Sequence, residues 1–320
     1  MSVKDNVLKL LFAGDEIFGQ DIADKLGCTR SAVWKAVKQL RKDGYNIEGT
    51  TNKGYVLAKR SIGYCSDSIA SLLNFDGDVE VLDSVSSTNT ELKKRAENGE
   101  EEFKILIANH QTSGKGRRGR SFFSQGDGIF MSILLKPKPD AKCSLFITTS
   151  AAVAVATAIK ETCGIDCKIK WVNDIYIDKK KICGILTEAA VDIETKCLDY
   201  AVLGIGVNFV ADSEGFPEEL KNIAGAIYSS RPDNYYEIKA RLTAAILNNF
   251  HRYYNDLESR RFLQKYRELC FIFGMDVTVI QANTSYKAKV IDIDDNARLI
   301  VKANNEIITL SSGEVSLKIN

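Results

Sequence analysis

Lys104-Ile105-Leu106-Ile107-Ala108, then Gly114-Lys115-Gly116-Arg117-Arg118-Gly119-Arg120, then Ile129-Phe130-Met131-Ser132-Ile133-Leu134-Leu135: two apolar runs enclose a loop of three glycines and four cations. A short apolar run bounded by turn residues reads as a buried strand. Glycine lets the loop fold tightly and approach a ligand closely. The cations supply charge-assisted donors for phosphate or carboxylate. No Gly-Lys-Ser/Thr follows, so this is not a Walker A loop, and a nucleotide here is held by side chains and loop ordering. The bland alternative is a solvated basic loop.

Outward from this stretch, Lys168 to Trp171, Ile182 to Glu188 and Tyr200 to Asn208 read as further strands. Ser150 to Thr162 reads as a small-residue helix stopped by Gly164, and Tyr235 to Leu257 as a long helix. This mixed order predicts an α+β domain around one sheet, spanning 64–271. Ahead of it, helices are expected over Val3 to Phe12, Gly19 to Leu26 and, capped by Thr29, through Lys42. Tyr45 to Glu48 and Tyr55 to Ala58 then read as a hairpin turning at Asn52-Lys53-Gly54. Three helices and a hairpin make a winged helix-turn-helix over 1–63, with a linker near Arg60 to Tyr64. Behind it, 272–320 holds five β-like runs with turns at Asn283-Thr284, Asp295-Asn296 and Asn304-Asn305, a small SH3-like β-barrel.

Bulk properties agree with a multidomain globular chain: 320 residues, 45% hydrophobic, 27% charged, net charge +1. No segment approaches the ~20 apolar residues of a membrane span, and Met1 to Leu11 reads as an amphipathic helix rather than a signal peptide. The expectation is a cytoplasmic protein without a membrane partner. Eight cysteines show no repeated C-x-x-C spacing, and only His110 and His251 could add imidazole, so reduced thiols are expected and no dedicated metal cage. Residues 1–60 carry 11 Lys or Arg against 7 Asp or Glu, an excess placed where a polyanion-binding module is expected.

Three more motifs carry chemistry. Lys170-Trp171-Val172-Asn173-Asp174 precedes Lys181-Ile182-Cys183-Gly184-Ile185-Leu186, where a lysine opens an apolar strand. Such an ammonium is costly if buried alone, and a ligand carboxylate resolves the cost; the alternative is that Lys181 continues a solvated turn. Ser87-Thr88-Asn89-Thr90-Glu91 reads as a capping box with Thr88 at the N-cap and Glu91 at N3. Ser87 and Asn89 would add polar groups for a small molecule beside the helix N-terminus. Gly204-Ile205-Gly206-Val207-Asn208 ends a strand in small residues and an amide.

Taken in order, these motifs resemble the biotin–protein ligase family, and the winged helix narrows the resemblance to its bifunctional ligase and repressor type. Phe123-Ser124-Gln125-Gly126-Asp127-Gly128, Met131-Ser132 and Pro137 match as well. The resemblance implies that Ser87, Thr88 and Asn89 line a biotin pocket and that Gln111 touches the ureido side. Lys115, Gly116 and Arg117 match a loop ordering over biotin and the adenylate; Arg118 and Arg120 serve the nucleotide phosphates. Lys181, followed by Gly184, matches the lysine at the biotin carboxylate, and Asn173, Asp174 and Asn208 match positions near ATP and Mg2+. Two residues depart from the pattern: Val172 stands at a usual proline, expected only to relax the turn, and Lys115 at a common arginine, keeping charge but losing bidentate geometry.

The activity so implied joins biotin and ATP to biotinyl-5′-AMP and passes the biotinyl group to a lysine of the biotin carboxyl carrier protein. Lys181, Arg117, Arg118 and Arg120 would be the catalytic cations, and no enzyme nucleophile is required. In the winged helix, Thr29, Arg30, Ser31, Trp34, Lys35 and Lys38 lie where base and phosphate contacts arise. The implied partners are operator DNA and a second copy of the chain, a homodimer formed on binding biotinyl-AMP or DNA. Two rivals remain: a lipoate–protein ligase, whose pocket takes an apolar dithiolane, and a biotin-sensing transcription factor without ligase activity.

Overall fold

The computed structural model describes the chain apart from residues 1, 13–15, 50–53, 58–62, 125, 138–143, 192–197, 212–214, 282–283, 312–313 and 318–320. It forms two compact units, one of Met1–Leu72 with Pro232–Arg241 and one of Leu73–Arg231 with Leu242–Asn320.

In the first unit, α1 (Val3–Phe12), α2 (Gly19–Leu26) and α3 (Arg30–Lys42) enclose Val7, Leu11, Ile22, Val33, Val37 and Leu40. Gly27, at φ 61°, lets the chain leave α2 in the left-handed conformation. Thr29 caps α3, its hydroxyl accepting from Ala32 N–H at 3.2 Å. β1 (Ile47–Glu48) and β2 (Val56–Leu57) pair antiparallel. They are shorter than the expected strands; Ala58, Asn52 and Lys53 of the hairpin, and Arg60 of the linker, lie outside the described residues. Tyr55 also bridges Ile17, tying the hairpin to the segment before α2. A short α4 (Ser66–Ala70) follows.

The second unit contains a seven-stranded mixed sheet. Its strands are β3 (Asp78–Val85), β4 (Lys104–Gln111), β5 (Gly128–Leu135), β6 (Lys168–Lys170), β7 (Asp174–Ile177), β8 (Lys180–Val191) and β9 (Leu198–Asn208). Spatially they run β3-β4-β5-β9-β8-β7-β6, with β3 and β4 parallel and the other pairs antiparallel. The parallel pair is joined through α5 (Thr88–Glu97), which packs on β4, β5 and β9. β5 is buried along its whole length, as its unbroken apolar run implies. Sequence reading missed β3 and β7: charged residues interrupt the first, and the second is four residues long.

α6 (Ser144–Cys163) starts six residues before the expected Ser150, because its Ser/Thr-rich beginning reads as loop. In the helix the Thr148 and Thr149 hydroxyls return to the Ser144 and Leu145 carbonyls. This corrects a second expectation, since α6 is long and apolar enough to cross a membrane. Here every residue from Phe146 to Ile159 except Thr157 is buried, against the sheet and α8 (Phe262–Leu269). α7 (Tyr235–Asn255) is the expected long helix, followed by a 3-10 turn at Leu257–Ser259; α8 was not anticipated.

The chain closes in a small antiparallel β domain. β10 (Asp276–Gln281), β11 (Thr284–Ile293), β12 (Leu299–Ala303), β13 (Glu306–Leu310) and β14 (Glu314–Leu317) run in the order β13-β12-β11-β10-β14. Asn304 and Asn305 both take positive φ, 47° and 66°, which makes the β12–β13 turn. Asn283 of the β10–β11 turn lies outside the described residues. The six described cysteines, Cys28, Cys65, Cys163, Cys167, Cys183 and Cys270, are free thiols; Cys143 and Cys197 are not described.

At the β4 end of the sheet, the His251 ring stacks on Phe75 with centroids 4.1 Å apart and meets Phe103 edge-on at 5.0 Å. Burial holds the imidazole below its ordinary pKa, against the opposing charge of Glu102. A histidine whose folded pKa is depressed stabilises the fold above its unfolded value near 6.5 and loses that contribution as pH falls through the folded value. Between pH 7 and pH 5 the wild type should therefore lose more thermal stability than His251→Phe. Parallel melting curves across that range would refute the assignment.

Candidate functional site

The register between β8 and β9 builds the floor of a cavity. It sets Gly184 opposite Gly206 and Leu186 opposite Gly204, while β5 sets Ser132 against Gly204 from the other side. A Cβ on Gly204 would lie 2.2 Å from Asn89 Oδ1, and one on Gly206 would lie 2.5 Å from the Phe122 ring. Both glycines are therefore needed for side chains to lie flat on β9. Among the cavity's described lining residues are Ser87, Thr88, Asn89, Gln111, Lys115, Gly116, Arg117, Arg118, Arg120, Asn173, Asp174, Lys181 and Gly184. All the residues expected at a biotin or phosphate position are thus brought together, except Asn208.

One wall is polar and nearly closed to solvent. Ser87, not Thr88, is the N-cap of α5, its hydroxyl accepting from Thr90 N–H at 3.5 Å. This corrects the capping-box reading. Thr88 is the first helical residue, and it donates its backbone N–H and its hydroxyl to Gln111 Oε1 at 2.9 and 3.1 Å. Glu91 does not reach back to the cap; its carboxylate accepts from Arg95 at 3.3 Å. Asn89 donates through Nδ2 to Glu188 Oε2 at 2.9 Å, and its Oδ1 accepts from the fully buried Ser132 at 2.6 Å.

The rest of the polar lining is cationic. Gly116 N–H donates to Arg120 O at 2.7 Å and Lys115 bridges Ser121, closing the Gly114–Arg120 loop. Arg118, at φ 57°, forms its apex and donates to Ile280 O in the C-terminal β domain at 3.0 Å. Arg117 donates to Asn173 Oδ1 at 3.1 Å, and Asn173 donates in turn to Ile185 O at 2.8 Å. Lys181 Nζ lies 2.6 Å from Asp174 Oδ1, a charge contact whose direction does not make a hydrogen bond. Lys181 therefore points into the cavity from the start of β8 rather than continuing a solvated turn.

Six cations, Lys115, Arg117, Arg118, Arg120, Lys170 and Lys181, face one carboxylate, Asp174, among the described lining residues. Such an imbalance in a recess calls for an anionic ligand. Lys170, Phe122 and Ser132 were not assigned roles from sequence; a hydroxyl inside the apolar run of β5 was the available signal for Ser132. Asn208 stands apart: its amide donates to Gly225 O at 2.8 Å, beside a smaller recess with Phe123, Asp127 and Phe216. The Trp171–Val172 peptide is cis, at the position where the family pattern carries proline. Trp171 Nε1 donates to Ala297 O at 3.0 Å, and Tyr266 donates to Val172 O at 3.1 Å.

On the first unit, Thr29, Arg30, Ser31, Trp34, Lys35 and Lys38 are all exposed, whereas Val33, Ala36, Val37 and Leu40 of the same helix are buried. Trp34 is 53% exposed, and Lys38 Nζ sits 5.1 Å from its ring centre. The candidate nucleic-acid face is thus one continuous side of α3.

Comparison with known proteins agrees with this arrangement. Residues 81–208 match the biotin/lipoate A/B protein ligase family, residues 4–56 a helix-turn-helix domain, and residues 272–318 the biotin protein ligase C-terminal domain. A bifunctional ligase/repressor BirA from Bacillus subtilis is 34% identical over 98% of this chain and 98% of its own. The Escherichia coli bifunctional ligase/repressor is 29% identical over 64% of this chain and 65% of its own. A solved biotin protein ligase from Aquifex aeolicus, in complex with biotin and ATP, superposes with a TM-score of 0.63 at 26% identity, over 76% of this chain and 99% of that one. With a relative alike from end to end and each region matched by its own part, this chain belongs to the biotin–protein ligase family, in its bifunctional ligase/repressor form.

Proposed function

We propose that the chain uses ATP to activate biotin as biotinyl-5′-AMP, transfers the biotinyl group to a carrier-protein lysine, and represses transcription when loaded with the adenylate. The observation that carries this reading is one cavity with two unlike sets of polar groups: a neutral hydrogen-bonding wall at Ser87–Asn89 and Gln111, and six cations with Asp174. The wall suits a polar ring rather than an apolar dithiolane, which favours biotin over lipoate. The cations suit a carboxylate and a triphosphate brought together.

The biotin carboxylate attacks the α-phosphorus, a P–O bond forms, and pyrophosphate leaves with the electron pair of the bond that breaks. Lys181 meets the carboxylate, while Arg117, Arg118 and Arg120 offset repulsion between the two anions. The Gly114–Arg120 loop keeps water from the mixed anhydride. A lysine amine of the carrier protein then attacks the acyl carbon, an amide forms, and AMP departs. The site fits Mg2+ carried in on the phosphates: Asp174 Oδ1 is buried without a directed hydrogen bond, and Asn173 offers an amide oxygen beside it. These two residues would hold the ion, which would spread phosphate charge. Asn208 lies in its separate recess and has no part in this reading. In this reading 1–63 binds operator DNA through α3, 64–271 holds the chemistry, 272–320 backs the Arg118 loop, and the protein works in the cytoplasm.

Lys181→Ala should lower biotin-dependent pyrophosphate release about 10- to 100-fold, the worth of one charge-assisted contact. Folding should suffer far less, since the Lys181–Asp174 pair is half-buried rather than core. Wild-type rates in the variant would remove Lys181 from the reaction.

Operator binding should depend on the adenylate, because one winged helix offers a small footprint and a two-fold dimer reads a palindrome. If adenylate binding favours the dimer, adenylate and operator affinities are reciprocally linked, by a factor of about 5–150. Sedimentation and operator titration, apo and loaded, measure this; equal dimerisation and equal affinity in both states reject the coupling. Arg30→Ala should abolish operator binding while ligation persists.

A further inference from the structure

We propose that Glu188, clamped by Lys93, is a positioning residue that sets ligand specificity: it fixes the direction of the hydrogen-bond chain Asn89–Ser132–Thr88–Gln111 and thereby makes that wall accept N–H groups of the ligand's head. This role rests on the biotin reading above. Glu188 sits on β8, outside the cavity's lining, with Oε1 2.8 Å from Lys93 Nζ and Oε2 2.9 Å from Asn89 Nδ2.

The number of protons available sets the direction of the chain. Burial raises the Glu188 pKa, but the Lys93 and Asn89 hydrogen bonds and the Lys115 charge outweigh it and hold the carboxyl below its ordinary value. An ionised carboxylate only accepts. Asn89 must therefore present Nδ2 to Glu188, which commits Asn89 Oδ1 to Ser132 Oγ, 2.6 Å away. Ser132 Oγ also lies 2.7 Å from Thr88 Oγ1, which lies 3.1 Å from Gln111 Oε1. Two hydroxyl protons thus serve three contacts. One lone pair of the chain is left for a donor from the cavity, and Gln111 cannot turn to supply it, because its Oε1 is held by the Thr88 backbone N–H at 2.9 Å. A ureido ring brings N–H donors; a dithiolane brings none. With a neutral amide at 188, only the long 3.5 Å bond from Nδ2 to Leu186 O still holds Asn89 in this orientation; when Asn89 turns over, its own Nδ2 fills the chain from the protein side. The absent side chain of Gly204 is what lets Asn89 lie close enough for this coupling.

The test uses the full chain and follows pyrophosphate release with biotin, with lipoate as the alternative acid, and with ATP varied separately. Glu188→Gln should raise KM for biotin about tenfold, leave kcat and the KM for ATP within about twofold, and raise the lipoate-to-biotin ratio of kcat/KM. Lys93→Ala, a change on the half-exposed face of α5, should shift the same quantities in the same direction, more strongly as the pH is lowered toward the carboxyl's ordinary range. Unchanged biotin KM and unchanged lipoate ratio in both variants would overturn the inference. So would a fall in kcat, or a rise in ATP KM, equal to the change for biotin, since that marks a general structural defect. A wild-type chain without biotin-dependent turnover would overturn the functional reading and this inference together, whereas an active wild type with indifferent variants overturns the inference alone.

Discussion

The site depends on one close approach. Asn89 lies against Gly204 so tightly that a methyl group there would sit 2.2 Å from its amide oxygen. That contact joins the first turn of α5 to the middle of β9, and so joins the helix that carries Ser87, Thr88 and Asn89 to the strand pair that carries Lys181 and Gly184. Gly206, two residues on and on the same face, does the same for Phe122, which brings the cationic loop over the floor. A strand interior that gives up side chains loses packing and backbone order. The loss is offset here because β5, β8 and β9 are hydrogen-bonded on both sides within the sheet.

A recess lined by six cations would repel itself if the charges were free to face one another in a low dielectric. Several are instead parked on neutral or acidic partners: Arg117 on the Asn173 amide, Arg118 on the Ile280 carbonyl, Lys181 on Asp174. The two arginine contacts are ones that an incoming anion can replace with stronger ones, since a phosphate or carboxylate is a better acceptor for a guanidinium than an amide oxygen. The cations are therefore held in place without being indifferent to a ligand. Asn173 is well placed for this exchange because its other end remains fixed on Ile185 O when Arg117 leaves.

Much of this was legible from residue order. The three N-terminal helices, the Thr29 cap and the exposed side of α3 follow from periodicity and capping chemistry, which are local. The Gly114–Arg120 loop could be read as an anion site because glycines and cations between two apolar runs combine close backbone approach with positive charge; the roles of Gln111, Asn173 and Asp174 came from the family resemblance. What escaped reading was set by contacts distant in sequence. β3 alternates charge with valine and is held by pairing with β4, while Thr88 is diverted from capping by Gln111, 23 residues away. The start of α6 reads as polar in sequence, yet Thr148 and Thr149 are buried, and Thr148 meets the Thr187 hydroxyl of β8 at 2.7 Å. The family resemblance put Asn208 near ATP, but β9 continues two residues past Gly206 and carries its amide to another recess.

The two sets of lining groups recognise by different physics, and this decides what each can contribute. Cations act over several ångströms and tolerate small displacements, so they gather anions and supply affinity that weakens as salt screens them. They discriminate poorly between one carboxylic acid and another, because every such acid presents the same head. The wall at Thr88, Asn89, Gln111 and Ser132 is neutral, nearly closed to solvent and built from contacts of 2.6–3.1 Å. Buried groups of that kind penalise any ligand that fails to pair with them, and that penalty survives high salt. On the proposed reading, selection among acids therefore falls to the wall and activation to the loop. On that reading a ligand that touches both sets needs a polar head and a carboxylate, which biotin combines, and neither set alone identifies it.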